Sequence, residues 1–312
     1  MNRRHLLLLA AAASLAAPAR AALPLAFTTT EIQPGIHVRQ GAMAEATAEN
    51  QDAIANIGFI VGDRSVAVID PGGSRADGAA LRKRIHEVTD RPISHVVMSH
   101  FHPDHVFGAV AFMPGAFAPD RPVFVGHARM PAEQASRGAF YRRGLADLLG
   151  AEAAGDYVRP DLLVQDTADI DLGGRVLHVR AHATAHTDND LSVFDEATGT
   201  LWAADLLFVD RVPALDGSIL GWLSVMQSLR AVPALMAVPG HGPPGVPWPA
   251  ALAPQERYLS GLVRDIRAII RRGGDIEQAV ATVGLTERGN WALFDDYNGR
   301  NVTSAFKELE WE

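Results

Sequence analysis

The six residues from His100 to His105 constrain this chain more than any other feature, because they contain four side chains that can bind a metal ion. They follow the apolar run 96–98, which is typical of a buried strand. His100 and His102 are one residue apart, so on an extended segment their side chains point to the same side. Pro103, between His102 and Asp104, favours a turn into a helix, which lets Asp104 and His105 face the same pocket.

The alternative interpretation of this motif is a polar turn, in which Asp104 caps a helix and the histidines are exposed. Four potential ligands within six residues favour the metal site. Since the 312 residues include twelve histidines and no cysteine, any such site uses imidazole and carboxylate. The same count excludes disulfides, thiolate zinc fingers and a cysteine nucleophile.

The overall composition is that of a folded enzyme-sized domain. Hydrophobic residues make up 48% of the chain and charged residues 21%, which is enough apolar surface for a full core. The formal charge is −8, with 36 acidic and 28 basic residues. Because proteins that bind nucleic acid concentrate lysine and arginine on one face, we expect no nucleic-acid partner.

The N-terminal stretch, residues 1–21, is predicted to be a cleaved export signal. Arg3 and Arg4 precede an apolar run, and Ala19-Arg20-Ala21 is compatible with a signal-peptidase site. Both the general and the twin-arginine export routes fit this pattern. Cleavage removes three arginines and no acid, which leaves a charge of −11. We therefore predict a periplasmic or secreted protein with one domain over residues 22–312, C-terminal helices and no membrane span.

Apolar patterns predict alternating strands and helices along the mature chain. Strands are expected at 36–38, 56–61, 65–69, 93–98, 176–180, 191–194, 199–203 and 235–238, and helices at 75–88, 254–272 and 275–283. No linker rich in glycine, serine or proline divides the chain. The expected fold class is α/β, with helices packed against sheets.

Three more ligand candidates lie near strand ends. His186 precedes the strand at 191–194, and Asp205 ends the apolar run 201–204. His241 follows a short apolar run and lies between glycines, which allow close approach of the backbone. Taken alone, Asp205 could be a hydrogen-bond acceptor at a strand end and His241 a loop residue. Their common position after strands favours one shared site.

The string His100-x-His102-x-Asp104-His105, followed by His186, Asp205 and His241, resembles the metallo-β-lactamase fold hydrolases over most of the mature chain. The resemblance implies a four-layered αββα sandwich with a dinuclear metal site at the shared edge of its two sheets. It assigns one Zn²⁺ to His100, His102 and His186, a second to Asp104, His105 and His241, and a bridging role to Asp205. Iron or manganese is also possible with such ligands.

Other features indicate which branch of this family the chain resembles. Asp70 matches an acid that steadies the ligand loop in this family. Asp205 stands where one major group of β-lactamases has a cysteine. The export signal, with the segments 56–62, 102–108 and 123–128, resembles the quinoprotein relay system zinc metallohydrolases. These are exported proteins associated with quinoprotein dehydrogenases, and the resemblance implies no particular substrate.

The expected function is that of an exported dinuclear zinc hydrolase, in which a hydroxide shared by the two ions attacks a small ester, lactone, thioester or amide. Asp104 would orient this nucleophile. One alternative is a periplasmic β-lactamase. Another, of a different class, is a non-hydrolytic metal-binding partner of a quinoprotein dehydrogenase.

The sequence does not decide the roles of several polar residues near these motifs. His127 follows a strand and His182 precedes His186 by four residues, so each is either part of the site or structural. Tyr141 and the pair 142–143 lie on a predicted helix, where they fit either an anionic substrate or a solvated helix face.

Overall fold

The first sheet contains seven strands, and its antiparallel and parallel halves meet at the fourth. The computed structural model describes residues 27–113 and 121–312, so the predicted export signal lies outside the described residues. In spatial and chain order the strands are β1 (Thr30–Gln33), β2 (Ile36–Arg39), β3 (Ile57–Val61), β4 (Val66–Ile69), β5 (Ile93–Val97), β6 (Val123–His127) and β7 (Leu162–Val164).

The second sheet has six strands, and each strand lies beside those that precede and follow it in the chain. They are β8 (Thr167–Asp171), β9 (Val176–Ala181), β10 (Leu191–Asp195), β11 (Thr200–Phe208), β12 (Met236–His241) and β13 (Val246–Pro247). Only β11 and β12 pair in parallel; the other neighbours in this sheet are antiparallel.

Helices cover the outer faces of both sheets. They are α1 (Arg75–Val88), α2 (Pro103–Val106), α3 (Met130–Leu149), α4 (Ala151–Ala154), α5 (Ile219–Arg230), α6 (Leu252–Arg271), α7 (Ile276–Thr282) and α8 (Phe294–Leu309). Two 3₁₀ segments, Phe107–Phe112 and Leu285–Asn290, accompany them. Among the helices of the described ranges, none is long and apolar enough to cross a membrane.

Three buried clusters show how the layers pack. Ile69, Val97 and Trp202 belong to the cluster between the two sheets. A second cluster joins the first sheet to residues of α1 such as Leu81, and a third joins the second sheet to α5, α6 and α8 through residues such as Trp222. The order helix, sheet, sheet, helix confirms the predicted four-layered α/β sandwich.

The sequence patterns located most elements near the site. Helix α1 has the predicted bounds, and it begins where the Ser74 hydroxyl accepts a hydrogen bond from the Asp77 backbone N–H. Strand β11 differs, because it continues to Phe208 beyond the predicted end at residue 203. Ala204 has a left-handed backbone (φ 48°) and shifts the register against β12, so Asp205 lies inside the strand rather than after it.

Candidate metal centre

The seven predicted ligand side chains meet at one edge of the two sheets. They form two groups, within each of which the potential ligand atoms lie within 4.8 Å of one another. One group consists of His100, His102, His186 and Asp205, and the other of Asp104, His105 and His241. The chain segments that carry them are the turn after β5, helix α2, the loop before β10, and strands β11 and β12.

Three imidazole nitrogens converge in the first group. His100 Nε2 lies 3.0 Å from His102 Nδ1 and 3.2 Å from His186 Nε2. The distance between His102 Nδ1 and His186 Nε2 is 3.0 Å. Three ring nitrogens so close to one common point are arranged as ligands of a shared cation.

The opposite nitrogen of each of these rings has its own polar partner. His102 Nε2–H donates to the Asp216 carboxylate at 3.2 Å. The other two contacts are His100 Nδ1 with Ser99 Oγ at 3.0 Å and His186 Nδ1 with the Ala214 carbonyl oxygen at 2.6 Å. When the outer nitrogen carries the proton, the inner nitrogen is free to bind a metal, so these contacts select the ligating tautomers.

Asp205 connects the two groups. Its Oδ2 lies 3.3 Å from His186 Nε2 in the first group and 3.4 Å from His241 Nε2 in the second. Its Oδ1 lies 3.1 Å from His105 Nε2. A carboxylate with one oxygen near each set of imidazoles has the position required of a bridging ligand.

Within residues 27–113 and 121–312, two buried atoms of the site have no partner in hydrogen-bonding geometry. They are His105 Nε2 and Asp205 Oδ1, which lie 3.1 Å apart but are not aligned as donor and acceptor. Buried polar atoms without partners are costly, and both atoms are of the kinds that bind divalent cations. The residues present therefore fit the pair of metal ions that the motif implies.

The electrostatics of the second group also favour a cation. Burial lowers the pKa of His105, but the nearby carboxylates of Asp205, Asp104 and Asp70 outweigh it and raise that pKa well above the usual value. Burial likewise raises the pKa of Asp104, but His105 and His241 hold it below its usual range. The protein alone thus keeps these carboxylates ionised around a position that attracts positive charge.

The backbone near Asp205 is shaped for its carboxylate. Ala204, the residue before it, has a left-handed conformation, which costs free energy for a residue other than glycine. On the neighbouring strand, a Cβ at Gly240 would overlap Asp205 Oδ1. The glycine before His241 is therefore required by the close approach of this side chain.

Asp70 supports the ligand turn from below. It is fully buried after β4, and its carboxylate accepts hydrogen bonds from the Ser99 backbone N–H at 2.7 Å and the Ser99 hydroxyl at 2.9 Å. The same carboxylate accepts the Nδ1–H of His105 at 2.8 Å. One acid thus orients a ligand of the second group and the turn that carries the first.

A pocket of ≈ 410 Å³ opens above the two groups. Its lining includes His102, Asp104, His186, Asp205 and His241, so all but two of the ligand candidates border it. This volume suits a small ligand. The remaining walls come from α3, the loop before α5, and α8.

Sequence reasoning missed Asp216, which lies 114 positions from its partner His102. Burial raises the pKa of Asp216, but the hydrogen bond from His102 and the Arg137 guanidinium hold it at about 2. No local pattern pointed to this acid. A helical spacing could have indicated the residues of α8 that line the pocket, since 297, 300, 301 and 304 share one helix face.

His127 and His182, which the sequence left open, lie outside both ligand groups. His127 Nδ1 accepts the backbone N–H of Arg129 at 2.9 Å. His182 Nε2 contacts the Ser192 hydroxyl at 2.7 Å. These contacts give the two buried histidines structural roles beside the site.

We expect His182 to make the metal-free protein sensitive to acid. Burial, with Arg180 and His127 nearby, lowers the pKa of His182 from 6.5 to about 4, so its stabilising contribution is present above pH 6.5 and is lost as the pH falls towards 4. This group should cost about 2 kcal/mol between pH 7 and pH 5. Urea unfolding at both pH values measures the unfolding free energy that is lost on acidification. This loss should be smaller by that amount in His182→Gln than in the wild type, and an equal loss in both proteins would contradict the assignment.

Comparison with known proteins places this site in a family context. The sequence profile of the Metallo-beta-lactamase superfamily matches residues 51–241. A linear primary-alkylsulfatase from Pseudomonas sp. is 23% identical over 223 residues, which is 60% of this chain and 41% of the relative. The chain therefore spans less than half the length of this curated relative.

Solved structures show the same fold. The inverting sec-alkylsulfatase from Pseudomonas sp. superposes with a TM-score of 0.65 and 18% identity, over 82% of this chain and 45% of that one. A metallo-beta-lactamase from Pontibacter korlensis superposes with a TM-score of 0.58 and 18% identity, over 74% of this chain and 98% of that one. At these identities the likeness concerns the fold alone.

Proposed function

The chain belongs to the metallo-beta-lactamase superfamily, and we propose that it is a dinuclear metal hydrolase acting on a small ester, lactone, thioester or amide. The observation that carries this proposal is the position of Asp205, which joins two groups of buried imidazoles beneath an open pocket. A purely structural metal site is usually closed by protein ligands, whereas this one borders a cavity.

In this proposal His100, His102 and His186 hold one cation, Asp104, His105 and His241 hold the other, and Asp205 contacts both. A pair of divalent ions supplies Lewis-acid polarisation of the scissile bond and lowers the pKa of a water molecule. Zinc suits imidazole and carboxylate ligands, and iron and manganese are the alternatives to be tested.

Asp104 is the ligand carboxylate that is more open to the pocket. Its side chain is 13% exposed, against 4% for Asp205, and both line the pocket. Asp104 Oδ2 lies 3.4 Å from His241 Nε2 and 3.6 Å from His105 Nε2. From this position it can accept a hydrogen bond from the attacking water and orient it.

Asp104→Asn should reduce turnover by about a hundredfold, because an amide has no negative charge and one acceptor oxygen fewer with which to hold the attacking water. The ion of the first group should remain, since no atom of that group is changed. His100→Ala is the contrasting variant and should lose the first-group ion, as elemental analysis would show. Near-normal turnover in Asp104→Asn with a full metal complement would exclude this role.

The decisive experiment measures metal content and turnover together. The purified protein is screened against p-nitrophenyl esters, lactones, thioesters, nitrocefin and alkyl sulfates, the last because of the similarity to alkylsulfatases. Two ions per chain with turnover of an ester, a lactone or a thioester would support the proposal. Turnover of nitrocefin alone would identify a β-lactamase, and two ions without any turnover would favour the non-hydrolytic alternative.

Export and association with a quinoprotein dehydrogenase are part of the same proposal. Their support is the basic and apolar pattern of residues 1–21 and the segments that resemble the quinoprotein relay enzymes. N-terminal sequencing of the protein recovered from periplasm would test cleavage after Ala21. Co-purification with a quinoprotein dehydrogenase would test the association.

A further inference from the structure

One wall of the pocket is a polar face of α8. Tyr297, Arg300, Asn301 and Ser304 all line the cavity, and their spacing of three, four and seven residues places them along one side of this helix. Asn301 is occupied by the fold, since its side chain bonds the Pro213 carbonyl oxygen at 2.6 Å and accepts the Leu215 backbone N–H at 2.9 Å. The Tyr297 hydroxyl is bonded by Arg211, so Arg300 and Ser304 are the polar side chains of this face that can meet a ligand.

Two arginines lie beside Tyr297 on this wall. The guanidinium carbons of Arg211 and Arg300 are each 5.3 Å from the centre of the Tyr297 ring. Arg211 has a side chain only 4% exposed and donates to the Tyr297 hydroxyl at 3.0 Å. Its Nε is buried and, within the described part of the chain, has no hydrogen-bond partner. Arg211 thus holds Tyr297 and adds a positive charge to this end of the pocket.

The charges of the pocket arginines are not equally compensated. Arg137 is paired with both Glu133 and Asp216, and Arg211 contacts Glu45 at 3.3 Å. Arg300 is exposed and, over residues 27–113 and 121–312, has no carboxylate within 4.0 Å. Arg300 is therefore a pocket cation that an anionic ligand would neutralise.

We propose that Arg300 and the Ser304 hydroxyl form a subsite for an oxyanion, and that the substrate carries a carboxylate or sulfate group bound there. This inference rests on the proposed function and narrows its substrate class to anionic compounds. Guanidinium and hydroxyl donors match the acceptor oxygens of either oxyanion.

Binding without turnover tests this subsite directly. Pentanoate, pentane-1-sulfonate as the non-hydrolysable analogue of a sulfate ester, and the neutral pentan-1-ol are titrated into the metal-loaded wild type, Arg300→Gln and Lys307→Gln. Lys307 is an exposed cation of the same helix that does not line the pocket, so its replacement changes the net charge equally. Any anion binding to the metal ions is common to all three proteins, and differences between them report on α8.

Arg300→Gln should weaken binding of at least one of the two anions about tenfold, because a charge-assisted hydrogen bond is lost. Binding of pentan-1-ol should not change. Lys307→Gln should bind each anion within about twofold of the wild type, because salt screens an exposed charge outside the pocket. The anion with the larger loss identifies the preferred oxyanion. No loss in Arg300→Gln, or an equal loss in Lys307→Gln, would overturn the proposal.

The outcome is separable from that of the proposed function. If the protein hydrolyses esters, Arg300→Gln should raise KM for the mono-p-nitrophenyl ester of glutaric acid and leave kcat and the neutral p-nitrophenyl pentanoate unaffected. If the wild type hydrolyses nothing, the hydrolase proposal fails, and the titrations still decide whether α8 binds an oxyanion.

Discussion

Replacing Asp205 with asparagine is expected to abolish the dinuclear site. The carboxylate approaches imidazoles of both groups, with Oδ1 3.1 Å from His105 Nε2 and Oδ2 3.3 Å from His186 Nε2. An amide offers one oxygen and no negative charge, so it cannot bridge two cations. Metal content should fall from two ions per chain to one or fewer, and turnover by roughly three orders of magnitude or more. Elemental analysis and steady-state kinetics measure the two effects.

Asp188→Asn is the matched control for this variant. Asp188 lies two residues from His186 but belongs to neither ligand group, and its carboxylate instead accepts a hydrogen bond from Asn189 at 2.9 Å. The same substitution there should leave two ions bound. If Asp205→Asn also retained two ions, the bridging role would be wrong.

Asp70→Asn should weaken both the fold and the second metal position. The buried carboxylate accepts bonds from the Ser99 backbone, the Ser99 hydroxyl and His105 Nδ1, and an amide would turn one of its two acceptors into a donor. The new amide donor would face another donor inside the protein, which should cost roughly 2–4 kcal/mol of unfolding free energy. Because His105 loses its orientation, metal affinity at that position should fall by about 10–100-fold.

Urea unfolding of the metal-free protein and competition with a chelator measure these two losses. Asp171→Asn is the control, since this acid forms an exposed ion pair with Arg64 at 2.6 Å. Its replacement should leave the free energy of unfolding nearly unchanged, because solvent and salt screen an exposed ion pair. Similar stability losses in the two variants would show that Asp70 is not the support we describe.

The local patterns of the sequence determined much of the fold. Alternating and helical apolar spacings located β2, β5 and α1, because such periodicity follows from burial of one face of each element. The individual bounds of α5 and α8 were not anticipated. Both helices are buried by contacts with distant parts of the chain, and such contacts leave only a weak local signal.

The metal centre, too, could be predicted from the sequence only in part. The motif from His100 to His105 indicated clustered ligands because residues two apart on an extended segment share a side. Positions near strand ends indicated His186, Asp205 and His241, and the resemblance to a known fold assigned all seven side chains to a dinuclear site. The structure brings all seven side chains together in two groups. Their role as metal ligands stays a prediction that metal analysis tests.

The sequence by itself thus determined the residue types of the site, imidazole and carboxylate without thiolate, and the strand ends that carry most of them. Only the tertiary structure decided that Asp205 lies between the two groups, that Asp216 orients His102, and that Arg300 enters the same pocket from α8. The physical reason is distance along the chain. Spacing fixes the relative direction of neighbouring side chains, whereas contacts between residues 100 or more positions apart depend on how the two sheets and their helices pack.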